Sequence, residues 1–204
     1  TKKEELCILA KNRHIESHFP GQLVSIDTFW CNVKNLGRIY QYTACDTYSS
    51  YGWAKVYLNK TSDNTIDFLE NHILKNVRWC KIRRILTDQG VEFYSARHRK
   101  HLDSIKKLCK EYYFTHSVTK VAHPWTNGYV ERLQQTIWQE FYLCRLTYPF
   151  TSIEELNEEL GKFMRHYNFN RRHTGYKLKS EGLEFPACAF FDLREGEKLT
   201  TVNY

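Results

Sequence analysis

The sequence has 204 residues, enough for one substantial core and short for two ordinary domains. Hydrophobic residues make up 42% and charged residues 26%, which excludes a disordered chain, and no signal peptide or apolar 18-residue run occurs, so a soluble protein is expected. Lys and Arg number 30 against 23 Asp and Glu, a formal charge of +7 that leans toward a polyanionic partner.

Seven cysteines are scattered with no Cys-x-x-Cys, which argues against a disulfide framework or zinc ribbon and for reduced thiols in a cytosolic compartment. His14 and His18 have helical metal-pair spacing, but no suitable cysteine pair follows, so zinc is not expected there. A start at Thr1 rather than Met suggests a piece of something longer.

Residues 1–20 are charged and helix-compatible, and Pro20-Gly21 breaks them off as the end of a preceding region. Leu23 to Trp30 has strand character, with Ser25, Asp27 and Phe29 on one face and Val24, Ile26 and Thr28 on the other. Asn35-Leu36-Gly37 signals a hairpin that returns as Ile39 to Asp46, and Trp53 to Leu58 makes a third strand. Thr61 or Ser62 caps a helix carrying Ile66, Leu69, Ile73 and Leu74 on one face. Lys81 to Thr87 reads as a short buried strand ending at Asp88-Gln89-Gly90. A basic helix over 95–111 and a fifth strand over Tyr112 to Ser117 follow.

After a loop over 118–126, Pro124 and Gly128 act as breakers, Thr126 or Asn127 caps, and a helix opens with Val130, Leu133, Ile137, Phe141 and Cys144 as its apolar stripe. Ser152-Ile153-Glu154-Glu155 starts a last helix, ending near Tyr167, with a capping box. Three antiparallel-type strands, then alternating helices and strands, describe an α/β protein with a five-stranded mixed sheet flanked by helices. Residues 21–175 form one domain, 1–20 an amino-terminal arm and 176–204 a carboxyl-terminal extension.

Three acids stand out. Asp27 sits mid-strand, where an unpaired Asp is disfavoured, Asp88 ends a strand, and Glu131 lies in the first turn of a helix. Each has an ordinary explanation: a strand hydrogen bond for Asp27, a turn for Asp88, the helix dipole for Glu131. If they converge in the fold, their mutual repulsion needs a cation, and oxygen-only ligands select Mg2+ or Mn2+. Two such ions suit an in-line phosphoryl displacement. Asp46, after the second strand, is assigned to a turn or cap rather than to a fourth ligand.

Ile26-Asp27-Thr28, Leu86-Thr87-Asp88-Gln89-Gly90-Val91-Glu92-Phe93 and His123-Pro124-Trp125-Thr126-Asn127-Gly128-Tyr129-Val130-Glu131-Arg132 resemble the three signatures of the retroviral-type integrase catalytic core, shared with DDE-class insertion-sequence transposases. Tyr167-Asn168 followed by Arg171-Arg172-His173 is similar to a segment of the bacterial members. The resemblance implies a ribonuclease-H-like fold with Asp27, Asp88 and Glu131 as catalytic metal ligands, and gives Glu92 a place behind them. Asn127 and Gly128 are read as a hinge in the loop over the metals, with a plain helix cap equally open. Arg132, Gln134 and Gln135, close to the glutamate, and the basic runs Arg83-Arg84, Arg97 to His101, Lys106-Lys107 and Arg171-Arg172 are candidate DNA contacts, against the alternative of a solvated face.

Two departures stand beside the resemblance. The 42 residues between Asp88 and Glu131 exceed the usual family interval, and neither a zinc-binding amino-terminal module nor a helix-turn-helix is recognisable. The expected function is a DNA transposase or integrase that cleaves element ends and transfers strands, with DNA and a second copy of itself as partners. The alternatives are a nuclease that only hydrolyses and a non-catalytic DNA-binding module. A bacterial mobile element in the cytoplasm, at the nucleoid, is the expected setting, or the nucleus if the host is eukaryotic.

Overall fold

The computed structural model describes residues 17–77, 81–90, 92–93, 99–119, 128–145, 148–173, 178, 180 and 182–191, with 7–9 and the first residues of 99–119 as backbone alone. Asn127 and Trp125, His14, and the side chains of the 97–101 basic run therefore lie outside the described residues.

The sheet forms around a long hairpin. Strands β2 (Val24–Val33) and β3 (Gly37–Asp46) pair antiparallel through all ten residues, from Val24 opposite Asp46 to Val33 opposite Gly37. Asn35 at φ 68° and Gly37 at φ 73° close the turn, a conformation that Asn tolerates and Gly adopts freely. Strand β4 (Gly52–Tyr57) extends this antiparallel wing. On the other side of β2, strands β5 (Arg84–Thr87) and β6 (Thr115–Val118) are parallel to it. These are the five expected strands. A sixth, β1 (Cys7–Leu9), pairs parallel with β6, giving the order β1-β6-β5-β2-β3-β4. The expected helical arm thus contributes a strand, because an open edge of backbone donors and acceptors recruits the short apolar Cys-Ile-Leu run.

Alternation along the strands separates two cores. Val24, Ile26, Tyr42, Ala44 and Trp53 pack beneath Phe68, Leu69 and Ile73 of α1 (Ser62–Asp67, continuing through Asn76), Ile105 and Leu108 of α2 (Arg99–Glu111), and Phe190. Cys31, Ile39, Cys45, Ala54 and Val56 face Val130, Leu133 and Ile137 of α3 (Gly128–Ile137) and Leu156, Leu160 and Met164 of α4 (Ile153–Phe169). Phe190 belongs to α5 (Pro186–Phe191), a short helix in the stretch expected to be a carboxyl-terminal extension. Thr61 caps α1 and Ser152 caps α4 by accepting from Asn64 N and Glu155 N, as their positions predict.

The expected stripe of α3 holds through Phe141 and then breaks: Cys144 is exposed and Tyr142 is buried in its place. The helix widens into a π turn at Trp138–Tyr142, which rotates later residues out of the 3.6-residue phase.

Two asparagines of α4 bond to the backbone of β4, which is an edge strand. Asn168 accepts from Gly52 N and donates to Gly52 O, both at 2.9 Å, and Asn157 accepts from Val56 N at 2.8 Å and donates to Val56 O at 2.9 Å. Their amides stand in for a further strand and block edge-to-edge association. Asn168→Ala leaves both Gly52 groups buried and unpaired, so a loss of about 2–3 kcal/mol is expected in urea unfolding with an unchanged slope. A change under about 0.5 kcal/mol would show that water replaces the clamp.

Candidate metal centre

The parallel register brings the first two acids together. Val24 pairs with Ile85 and Ser25 with Leu86; carried two residues past the last ladder pair, the same offset sets Asp88 level with Asp27. Strand β5 ends at Thr87 while β2 runs on to Val33, so the sheet parts there. Asp27 is on the α3 side of the sheet, where Gln134 Nε2 donates to its Oδ2 at 3.3 Å, and its Oδ1 accepts from Thr28 N at 2.8 Å. Glu131 lies one turn before Gln134, on the same face of α3, with its carboxylate exposed. Its place is held by Val130, Leu133 and Ile137, each almost completely buried and each worth about 1.5–3 kcal/mol.

The charges of Asp88 and Glu131 both reach Asp27. Burial pushes the Asp27 carboxyl up to about 6, helped by repulsion from Asp88 and Glu131 and opposed by the hydrogen bonds from Thr28 and Gln134. Burial also raises Asp88, with the Glu92 charge adding to the rise, while Gly90 N, donating to its Oδ1 at 2.8 Å, and the Lys60 ammonium oppose it. Among the described residues no three such side chains close into a finished metal cluster. The local hydrogen bonds of Asp27 and Asp88 hold their oxygens on backbone and amide donors. The donor set is oxygen-only and fits a hard cation.

The other candidates separate. Glu92 is buried beside the site and bonded to Thr28 Oγ1 at 3.0 Å, and Gln134 touches Asp27 directly. Arg132 and Gln135 are exposed on α3. Arg171 and Arg172, expected at DNA, are engaged within the protein. Arg171 grips Glu140 through Nε at 2.9 Å and Nη2 at 2.6 Å, and Arg172 pairs with Glu184 at 3.3 Å. With Tyr167 buried, Asn168 on β4 and His173 edge-on to Tyr167, that segment acts as a clasp for the end of α4. Asp46 has the expected turn role, accepting from Gly21 N, Ser49 N and Ser49 Oγ.

Sequence reasoning passed over Lys60, whose Nζ lies 2.6 Å from Glu92 Oε1. A basic residue ahead of a helix cap carries no signal of its own.

A carboxyl raised in the folded state binds more protons there than in the unfolded chain, so stability falls as pH rises from about 4 to about 6. For Asp27 the loss amounts to about 3 kcal/mol at most. Asp27→Asn is therefore expected to stabilise the metal-free protein by about 1–3 kcal/mol at pH 8 and hardly at pH 4, read by urea unfolding in chelator. Equal destabilisation at both pH values contradicts this electrostatic picture.

An integrase core domain model matches residues 17–124, and a second integrase core domain model matches 112–180. Among solved structures, a chain of the simian T-cell lymphotropic virus intasome in complex with a PP2A regulatory subunit superposes with a TM-score of 0.67 at 16% identity, over 94% of this chain and 60% of that one. This chain thus spans 60% of the length of that relative. The HTLV-2 integrase catalytic core domain in complex with magnesium, in its trimeric form, gives 0.63 at 18% identity, covering 86% of this chain and 99% of that chain. The BIV integrase catalytic core domain gives 0.58 at 17%, over 84% and 95%. No curated protein matches the sequence. With the first model covering more than half of its residues, and with the sheet order and acid placement described above, the chain belongs to the integrase core domain family.

Proposed function

We propose that this chain is the catalytic core of a metal-dependent DNA polynucleotidyl transferase, which cleaves the ends of a mobile DNA element and joins the resulting 3′-hydroxyl to target DNA. The observation that carries the reading is Asp27: a partly buried carboxyl, held by Thr28 and Gln134, on which two further acids from separate elements act. A structural carboxylate is normally surrounded by donors and cations, as Asp46 is by Gly21, Tyr48 and Ser49; Asp27 has fewer donors and lies within electrostatic reach of Asp88 and Glu131.

Asp27, Asp88 and Glu131 would together hold the Mg2+ or Mn2+ ions, two of them by the resemblance. Such ions, when bound, supply the positive charge and Lewis acidity that in-line displacement at phosphorus needs. Gln134 fixes the Asp27 rotamer, and Gly90 N fixes Asp88. Arg132 and Gln135 are the backbone contacts to DNA in this reading, which their exposure on the helix that carries Glu131 supports. The net charge of +7 favours DNA through counterion release, without regard to sequence.

The HTLV-2 core is described in complex with magnesium and in a dimeric form, and the simian virus chain in an intasome, which supports divalent ions and a homo-oligomer here. A bacterial cytoplasm with its nucleoid, or a eukaryotic nucleus, is the proposed location.

Strand-transfer assays on labelled element-end DNA with Mg2+ or Mn2+ test the reading. Asp27→Asn, Asp88→Asn and Glu131→Gln are each expected to lower product about 100-fold or more, with DNA affinity within about twofold of wild type. Cleavage without joined product identifies a hydrolytic nuclease, and binding with neither a non-catalytic module. Near-wild-type turnover in any single variant removes that residue from the assigned triad. DNA affinity of this chain is expected to fall about 10-fold or more between 50 and 200 mM salt, measured by anisotropy; salt-insensitive binding contradicts a phosphate-dominated interface.

A further inference from the structure

Glu92 is the acid at this site that lies inside the protein. The residue is 2% exposed, yet only one of its carboxylate oxygens is engaged. Oε1 accepts from Lys60 Nζ at 2.6 Å and from Thr28 Oγ1 at 3.0 Å, whereas Oε2 is buried with no hydrogen-bond partner. The carboxylate lies directly on Gly90: a Cβ there would stand 2.6 Å from Oε1 and 2.7 Å from Oε2. The same glycine donates its N–H to Asp88, and Thr28 is the residue after Asp27. Glu92 is thus built against the backbone that holds two of the three acids.

Lys60 reaches it from the segment between β4 and α1, with its side chain 34% exposed. A buried carboxylate this close to like charges is costly without a cation on it, and truncating one partner of such a pair leaves the charge of the other uncompensated. Lys60 and Glu92 both lie within electrostatic reach of Asp88, with opposite effect.

We propose that Lys60 and Glu92 form a positioning pair that sets the affinity of the Asp27–Asp88–Glu131 site for divalent cations. Glu92 adds a fixed anion behind Asp88, and Lys60 cancels it, so cations are drawn only by the three acids in front. This inference rests on the proposed metal-binding role of those acids. Its signature is a pair of opposite signs. Removing Lys60 exposes the fourth negative charge and tightens cation binding; removing the charge of Glu92 leaves an uncompensated ammonium beside Asp88 and weakens it. A merely structural pair moves both variants in the same direction.

The test is calorimetric titration of Mn2+ into the DNA-free chain at pH 8, with thermal melting in chelator as a control for folding. Lys60→Met is expected to tighten Mn2+ binding about tenfold and Glu92→Gln to weaken it about tenfold. The double variant is expected near wild type, and Lys60→Arg, which keeps the charge, within about twofold. Weaker binding in both single variants, or no shift beyond about twofold in either, overturns the proposal. Should Lys60→Met fail to fold, Glu92→Gln carries the sign alone, and wild-type affinity in it is the overturning result. Absence of Mn2+ binding by wild type overturns the three-acid reading and this inference together, whereas wild-type binding with unmoved variants overturns the inference alone.

Discussion

Burial of the Asp27 carboxyl within reach of two like charges is the constraint on which this structure turns. Asp27, Asp88 and Glu131 come from a strand centre, a strand end and a helix start, and nothing local would bring them together. Folding leaves the Asp27 carboxyl partly buried within reach of the Asp88 and Glu131 charges, a cost that the apolar faces on both sides of the sheet must offset. The cost is smallest where the sheet opens. Strand β5 stops at Thr87 while β2 continues, so Asp27 has a neighbour in register but no ladder partner on that side. A carboxylate one residue earlier would replace Ile26 and point into the opposite core, among Val24, Tyr42 and Phe68.

The rest of the fold keeps that opening rigid. The long β2–β3 ladder leaves Asp27 little freedom of backbone, and α3 is held to the sheet by a row of fully buried side chains before it presents Glu131 to solvent. The clasp at the end of α4 reinforces the arrangement from outside: Arg171 ties α4 to the continuation of α3 through Glu140, while Asn157 and Asn168 tie it to β4. Arg171, which looks available for phosphate in a one-dimensional view, is here paired with Glu140 through two nitrogens, while Arg172 stays exposed beside Glu184. Their positive charge still contributes to the field of a basic chain, but the geometry of Arg171 serves packing.

Much of this was legible before any coordinates. Alternation in Val24 to Phe29 put Asp27 on one face, the abrupt end of an apolar run put Asp88 at a strand terminus, and helical periodicity after Gly128 put Glu131 in a first turn. These features are local, with periods of two or 3.6 residues. What escaped was non-local or phase-breaking. The Lys60–Glu92 pair joins segments that share no periodicity, and the π turn after Ile137 undid the phase that predicted a buried Cys144. Strand β1 escaped because three apolar residues in a charged arm become a strand only when the edge of β6 is there to pair with them. The roles of Arg171 and Asn168 escaped because a motif names residue types, and only the fold says which neighbour each one meets.

The carboxylates around the site divide by how their charge is met. Asp46 is buried and surrounded by its own turn, with donors from Gly21, Tyr48 and Ser49 on its oxygens. Glu92 is buried with a lysine and a hydroxyl on one oxygen and nothing on the other. Asp27 and Asp88 are partly open, held by an amide here and a backbone N–H there, and Glu131 is exposed on its helix. Compensation therefore decreases from the protein interior toward the gap between β2 and β5, and the uncompensated charge collects on its rim. A site meant only to support the fold would show the reverse, since burial makes an unpaired charge most costly and water makes it cheapest. Here Asp27, although solvent is within reach, feels the charges of both other acids. That arrangement is disfavoured by itself and positive charge beside Asp27 would relieve it, which is the physical ground for the cation in the proposed function.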